Sequence, residues 1–239
     1  MQIETVRIDR RFQGPPRSGN GGYACGLTAC RLAGTTAVRL KAPPPLDTDL
    51  RLETSEDHAR LFHDDLLVAE AKPAELDLSP PGAPSYEQAT RAAESFSGFT
   101  KHQFPGCFVC GPLRSAGDGL RIFPGAVPRT PTIAAPWDPA ASVAGPSGHV
   151  ERKYLWSALD CPSGFVLAPL PDGVGIVLGE LCVAIARDLS PGETCVVAAW
   201  PIGIDGKKRF SGSAIYGANG TLVAMARATW IEIPLGRWQ

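Results

Sequence analysis

Residues 175–233 carry the clearest indication of the fold and read GIVLGELCVAIARDLSPGETCVVAAWPIGIDGKKRFSGSAIYGANGTLVAMARATWIEI. Short apolar runs alternate here with turn-forming residues, a pattern typical of strands joined by tight turns. Pro191-Gly192 and Asn219-Gly220 suit such turns, because Pro presets φ and Gly accepts a positive φ. We therefore predict an antiparallel meander of four strands, at 175–187, 194–200, 210–216 and 222–233.

One helix is predicted immediately before the meander. Residues 150–160, VERKYLWSALD, place Leu155, Trp156 and Leu159 on one face of a helix. Pro disfavours helical backbone in the residue that precedes it, so we predict that this helix ends before Pro162.

The N-terminal half repeats this order of elements. Residues 20–34, NGGYACGLTACRLAG, predict a helix of small residues that ends at Gly34. Strands predicted at 37–41, 50–54, 58–62 and 66–71 then follow, with turn residues between them. We interpret this repetition as an internal duplication, with an N-terminal unit at 1–98 that includes a linker helix at 85–95, and a C-terminal unit at 99–239.

The composition excludes several classes of protein. The 239 residues include 23 Lys and Arg against 24 Asp and Glu, and 44% are hydrophobic. A net charge of −1 argues against broad binding to nucleic acid or to an anionic membrane. Apolar runs are far shorter than the roughly 20 residues of a membrane span, and the charged N-terminus is unlike a signal peptide. Seven cysteines in a chain of this size indicate reduced thiols, so we expect a cytoplasmic protein.

A helix packed on an antiparallel sheet, present twice in one chain, resembles the double hotdog fold. Cys107-Phe-Val-Cys110-Gly111, followed by Gly119-Leu120, resembles the opening of many hotdog thioesterase-like domains. Residues 156–162, WSALDCP, resemble the thioesterase superfamily, especially its two-hotdog members of actinobacterial type. The resemblance implies an α+β fold of two fused hotdog units, whose sheets join side by side with the helices on one face. It also implies hydrolysis of an acyl thioester, with acyl-CoA as the expected small-molecule substrate and no metal or organic cofactor.

Asp160 is the first candidate catalytic residue. In hotdog thioesterases of the phenylacetyl-CoA type, a His-Gly-Gly at the helix start is followed, nine residues after the His, by a carboxylate. Asp160 matches that carboxylate, and Glu151 stands in the place of the His. The resemblance implies that Asp160 is a nucleophile or general base, for which a raised pKa would suit it. The alternative is an Asp that only ends a helix before a proline.

Asn20-Gly21-Gly22 is the second candidate, where the family has His-Gly-Gly. The first amides of a helix have no acceptor within the helix, and the helix dipole adds positive potential there. Gly21 and Gly22 could therefore form an oxyanion hole for acyl transfer. The alternative is an Asn that caps the helix before glycines required for packing.

Each half of the chain keeps a different part of the family motif. The first half has the Gly-Gly helix start but Ala29 and Cys30 where a carboxylate would fall. The second half has Asp160 but the charged residues 151–153 at its helix start. In hotdog thioesterases the active site joins one helix N-terminus to the carboxylate of the other unit. One composite site and one degenerate site are therefore expected.

Four further residues are expected to contact the substrate, namely Tyr23, Trp156, Glu151 and His149. Trp156 would line an acyl pocket, and His149 would orient a water or the thioester. Core aromatic residues and a capping or surface His are the alternatives. Residues 207–209, Lys-Lys-Arg, could meet the phosphates of coenzyme A, although a solvated turn is often charged without such a role.

Cys107 and Cys110 form a lone C-x2-C motif, and a structural zinc site needs two more ligands. His102 could be a third, but the other five cysteines, Cys161 among them, lie in predicted helices or strands. We therefore predict buried thiols and no metal at this motif. The sequence also lacks the G-x-S-x-G, G-x-G-x-x-G and P-loop motifs.

Two other functions stay open. The chain could be a non-catalytic protein that binds an acyl group or small ligand, because Asn20 and Glu151 depart from the family pattern. It could instead be a hydratase or dehydratase, which in this fold uses a His with an Asp or Glu, but neither central helix contains a His. Both a monomer and a homodimer are compatible with the sequence.

Overall fold

A single antiparallel sheet organises the protein, whose computed structural model describes residues 1–235. Within those residues the sheet has eleven strands: β1 (Gln2–Arg7), β2 (Thr36–Leu40), β3 (Asp49–Thr54), β4 (Ala59–His63), β5 (Leu66–Pro73), β6 (Gly125–Ala126), β7 (Ile133–Trp137), β8 (Val174–Ile185), β9 (Cys195–Asp205), β10 (Lys208–Gly217) and β11 (Leu222–Pro234). The α-helices of the same residues are α1 (Gly21–Thr28), α2 (Tyr86–Ala93) and α3 (Arg152–Phe165).

The strand order is β1-β3-β4-β5-β2-β8-β11-β10-β9-β7-β6. The N-terminal half supplies the first five strands, and the two halves meet where β2 pairs with β8. At this seam Arg39 lies opposite Glu180 and forms an ion pair with it. The order outward from the seam is β2, β5, β4, β3, β1 on one side and β8, β11, β10, β9, β7, β6 on the other. The predicted side-by-side joining into one antiparallel sheet is therefore observed.

The four strands of the predicted meander are present, but the structure adds strands that the sequence did not indicate. β1 is a largely exposed edge strand in which charged residues interrupt the apolar ones, so it lacks a recognisable apolar run. β7 contains Pro136 and small alanines, which obscure its β character. β9 also continues past its predicted end at Trp200 to Asp205.

Both central helices end at positions other than those predicted. α3 continues one turn beyond Pro162 instead of ending before it. Two buried hydroxyls of β10 support this turn: Ser213 donates to the Leu159 carbonyl and Ser211 to the Ser163 carbonyl, each at 2.7 Å. These bonds fasten α3 to β10 on both sides of Pro162.

The first helix, α1, is shorter than expected. It ends at Thr28, and the segment that follows it turns toward β2. Gly34 has a φ of 71°, a conformation that suits glycine, within that connection. Gly34 therefore ends the turn and not the helix.

The helices occupy both faces of the sheet. α1 and α3 pack against each other on one face, α1 over β2, β4 and β5, and α3 over β8 to β11. α2 lies on the opposite face, where its Ala89 and Ala92 pack with Val196 and Ala198 of β9. The expectation of one helical face therefore holds for α1 and α3 but not for α2. α2 also packs on strands of the C-terminal half, although the predicted boundary places it in the N-terminal unit.

Two further observations bear on the sequence-based expectations. All seven cysteines are free thiols. No helix within residues 1–235 combines the length and the apolar character that crossing a membrane requires.

Candidate active site

α1 and α3 approach each other closely through two glycines of α1. A Cβ atom on Gly22 would lie 2.6 Å from both the Asp160 Cβ and the Trp156 carbonyl oxygen. A Cβ atom on Gly26 would lie 2.6 Å from the Lys153 Cα. Only glycine permits this approach, so Gly22 and Gly26 let the backbone of α3 reach α1. The N-terminus of α1 consequently lies against Asp160.

Asp160 binds the N-terminus of α1 through one carboxylate oxygen. Its Oδ2 accepts hydrogen bonds from the Gly22 amide at 2.8 Å and from Asn20 Nδ2 at 2.9 Å. Asn20 also caps α1, because its Oδ1 accepts a hydrogen bond from the Tyr23 amide at 2.9 Å. A helix N-terminus stabilises a negative charge through its free amides and its dipole. The structure thus brings together three of the predicted site residues, Asn20, Gly22 and Asp160.

The environment of Asp160 changes its acidity. The side chain is 2% exposed, and this burial raises the pKa of Asp160 to about 7, against the lowering effects of the Gly22 and Asn20 hydrogen bonds. Cys107 adds to the increase. Oδ1 of Asp160 is buried and has no hydrogen-bond partner among residues 1–235. The hydrogen-bonding capacity of this oxygen is thus unused by the described residues, and the pKa of the Asp160 carboxyl suits proton transfer near neutral pH.

Gly21 and Gly22 differ in what their amides contact. The Gly22 amide already binds Asp160. Gly21 is the first residue of α1, is only half-buried, and lies beside Leu178, which a Cβ on Gly21 would meet at 3.0 Å. Its amide is one of the first-turn donors that have no acceptor within a helix. Gly21 is thus the better placed of the two to receive a substrate oxygen.

The predicted substrate residues Tyr23 and Trp156 are core residues next to this site. Both are 4% exposed. The ring of Tyr23 stacks on Phe12 with centroids 4.2 Å apart, and Phe108 and Tyr154 complete the aromatic cluster. Burial raises the pKa of Tyr23 well above its usual range. Trp156 reaches the site through its carbonyl oxygen, which lies against Gly22.

Glu151 and His149 lie at the other end of α3. Glu151 is the N-cap residue but makes no side-chain cap hydrogen bond, and it pairs instead with Lys153 at 2.8 Å. His149 precedes it and has a buried Nδ1 that finds no partner among the described residues. Asp160 lies nine positions after Glu151, which is about 13 Å along the helix axis at a rise of 1.5 Å per residue. No described contact brings either residue to Asp160.

The N-terminus of α3 differs from that of α1. Counted from the first helical residue, Lys153 corresponds to Gly22, and Ala29 corresponds to Asp160. Lys153 packs its backbone on Gly26, and Ala29 is a buried residue without a carboxylate. The N-terminus of α3 therefore has neither a glycine at the contact nor an acid from α1.

The three predicted phosphate contacts lie at the turn between β9 and β10. Arg209 is already paired with Glu232 at 2.6 Å, which neutralises one of these charges. A surface cleft of about 260 Å³ lies elsewhere, among residues of the 116–121 and 136–143 segments, and no predicted site residue lines it.

A third cysteine joins Cys107 and Cys110, which corrects the expectation that Cys161 is excluded by lying in a helix. The three sulfur atoms lie within 4.8 Å of one another, and Cys107 Sγ is 3.7 Å from Cys161 Sγ. Hydrogen bonds from Cys110, from Cys161 and from backbone amides hold the pKa of Cys107 well below its usual range. Asn20 Nδ2 also contacts Cys161 Sγ at 3.6 Å, so this cluster adjoins Asp160.

Comparison with known proteins shows the fold. The sequence matches no protein-family model and no curated protein. A hotdog-fold protein of unknown function from Alicyclobacillus acidocaldarius has a TM-score of 0.62 at 10% identity, over 97% of this chain and 93% of that one. An acyl-CoA thioesterase II from Mycobacterium marinum has a TM-score of 0.61 at 12% identity, over 97% and 93%. A candidate thioesterase II from Thermobifida fusca has a TM-score of 0.62 at 15% identity, over 98% and 93%. The chain therefore has the hotdog fold, which confirms the predicted fold family.

Proposed function

We propose that this protein is a thioester hydrolase with one active site, composed of the N-terminus of α1 and Asp160 of α3. The observation that carries this proposal is the pair of hydrogen bonds from Gly22 and Asn20 to Asp160 Oδ2, at 2.8 and 2.9 Å. They hold a buried carboxylate against a helix N-terminus, with its second oxygen unpartnered. Two of the structures of similar fold described above are named as thioesterases, which supports the reaction class.

The proposal includes an origin of the site by duplication. The halves 1–98 and 99–239 would be two hotdog units related by an approximate two-fold axis. The matching order of the first five strands on each side of the β2–β8 seam supports this relation. Because each unit then contributes one central helix, the site can take its amides from the first unit and its acid from the second.

Each site group has a separate task in the proposed reaction. Oδ1 of Asp160 accepts a proton from a water whose oxygen attacks the thioester carbonyl carbon. The amide of Gly21 stabilises the negative charge that forms on the carbonyl oxygen. The C–S bond then breaks, and the proton passes from Asp160 to the departing sulfur, which releases a carboxylic acid and a thiol. Asn20 and Gly22 hold Oδ2 of Asp160, so Gly22 positions the acid instead of binding the oxyanion.

The proposed substrate is an acyl-CoA. A thioester suits this site because its thiolate leaves readily, so the site needs one acid–base group and an oxyanion donor. A hydratase would pair the carboxylate with a His, whereas no described contact joins a His to Asp160. Hydration of an enoyl-CoA is therefore not expected.

An acyl-CoA panel with colorimetric thiol detection tests this proposal. The wild-type protein should release CoA, and Asp160→Asn should lower kcat/KM by about 10²–10⁴-fold, the range for loss of an acid–base group. Asp172→Asn is the matched control, because Asp172 is exposed. Circular dichroism and a melting curve establish that Asp160→Asn is folded. Equal turnover by Asp160→Asn and wild type would contradict the proposal, as would acyl-CoA binding by a wild-type protein that hydrolyses nothing.

A further inference from the structure

The Cys107, Cys110 and Cys161 cluster takes no part in the proposed reaction. All three sulfur atoms lie within 4.8 Å of one another, with 3.7 Å between those of Cys107 and Cys161. Sulfur atoms around a tetrahedral zinc ion are about 3.8 Å apart, because each Zn–S bond is about 2.3 Å. Small rotations of these side chains would therefore bring the three sulfurs to one ion.

The backbone holds the C-x2-C loop in shape without a ligand. The Gly111 amide donates to the Cys107 carbonyl at 2.9 Å, and a Cβ on Gly111 would overlap that carbonyl oxygen. The Phe108 amide donates to the Gln13 carbonyl at 2.8 Å and fastens the loop to the N-terminal half. A glycine after the second cysteine thus closes a tight turn that presents both thiols to Cys161.

His102 does not supply a fourth ligand. Its Nδ1 accepts a hydrogen bond from the Phe104 amide at 3.0 Å, so the proton of the neutral ring lies on Nε2. Burial lowers the pKa of His102, which favours that neutral ring. Within residues 1–235 the cluster contains three thiols and no further His or acidic ligand at this spacing. The fourth position of a tetrahedral ion would belong to a water.

We propose that Cys107, Cys110 and Cys161 bind one Zn²⁺ ion through their thiolates. Thiolate ligands select zinc over harder ions such as Mg²⁺ and Ca²⁺. Asn20 Nδ2, 3.6 Å from Cys161 Sγ, would donate to a bound thiolate and offset part of its charge. The ion would join the C-x2-C loop to α3 one residue from Asp160. Its role is to hold α3 in position, and it takes no part in the hydrolytic step.

Metal binding is measured directly, independently of hydrolysis. Reduced wild-type protein purified with zinc and without chelator should contain one zinc per chain by elemental analysis. Cobalt added to the folded apo-protein should give thiolate-to-cobalt charge-transfer bands that zinc then abolishes. Cys161→Ser and Cys107→Ser should each lose stoichiometric zinc. Cys195→Ser is the matched control, since Cys195 is fully buried and its Sγ contacts only the Glu193 carbonyl among the described hydrogen bonds.

Zinc should also raise the melting temperature of the wild type and of Cys195→Ser but not that of Cys161→Ser. If a variant of the cysteine cluster does not fold, the cobalt titration of the wild type is sufficient to test metal binding. Folded, reduced wild-type protein that gives no charge-transfer band and holds no zinc would overturn the proposal. So would a cobalt band that Cys161→Ser leaves unchanged, or a purified protein whose mass and peptides show a Cys107–Cys161 disulfide in place of a metal.

Discussion

α1 and α3 are the central helices of the two halves, but the surroundings of their N-termini differ. At α1, glycine at the second helical position exposes an amide that binds a carboxylate 138 residues away in sequence. At α3, Lys153 occupies the second position and pairs with Glu151 in the preceding turn. The dipole of α1 is thus matched by an acid from the other helix, whereas α3 satisfies its charges locally.

This difference shows what a composite site of this kind requires. One helix must lack a side chain at the point of contact, and the other must carry an acid nine positions along. α1 meets the first condition with Gly22, and α3 meets the second with Asp160. Because a single chain encodes both helices, the proposed site can take its glycine from α1 and its acid from α3.

The largest loss of stability and activity is expected when Gly22, the glycine at the helix contact, is replaced. Gly22→Ala places a Cβ 2.6 Å from both the Asp160 Cβ and the Trp156 carbonyl, so α1 and α3 must separate. We expect a loss of about 3 kcal/mol in the free energy of unfolding, the upper range for overpacking, together with loss of hydrolysis. Urea denaturation measures the first and thiol release the second. Gly82→Ala is the control, since a Cβ there meets nothing within 4 Å. Equal stability of the two variants would refute the close contact.

A smaller loss of stability is expected from removing the N-cap side chain of α1 or of α3, and the two losses should differ. Asn20→Ala removes the cap of α1 and one hydrogen bond to Asp160, so it should lower the free energy of unfolding by about 1–2 kcal/mol. Glu151→Ala should cost only about 0–1 kcal/mol, because Glu151 makes no cap hydrogen bond and loses only its partly exposed ion pair with Lys153. Paired denaturant titrations compare them. A cost at Glu151 equal to that at Asn20 would show that the caps are equivalent after all.

The smallest effect on activity is expected at the N-terminus of α3. Lys153→Ala removes a partly exposed ion pair with Glu151, which is worth about 0–1 kcal/mol. Hydrolysis should be unchanged, because Lys153 lies about 10 Å along α3 from Asp160, at a rise of 1.5 Å per residue. Steady-state kinetics with the best acyl-CoA of the panel measure this. A large fall in kcat would place a functional site at the N-terminus of α3.

Much of the fold could be predicted from the sequence because its signals are local. Pro191-Gly192 and Asn219-Gly220 mark turns by their own backbone preferences, and the apolar runs between them become strands. The pairing of Gly22 with Asp160 could be predicted only from a family motif. No local pattern joins residues 138 apart.

Features that depend on packing could not be predicted. α3 continues past Pro162, and on either side of that proline its carbonyls bind Ser211 and Ser213 of β10, a strand some fifty residues later in the chain. α2 lies on the opposite face because β9 presents apolar residues to both sides of the sheet. Cys161 joins Cys107 and Cys110 only because the loop folds onto α3.

The most direct test of a single site built from both halves is a double-mutant cycle on kcat/KM with Asn20→Ala and Asp160→Asn. Residues that act as a unit give losses that do not add. We predict that Asn20→Ala lowers kcat/KM in the wild type but causes no further loss once Asp160 is Asn. Two losses that multiply in the double variant would contradict a site in which Asn20 works through Asp160.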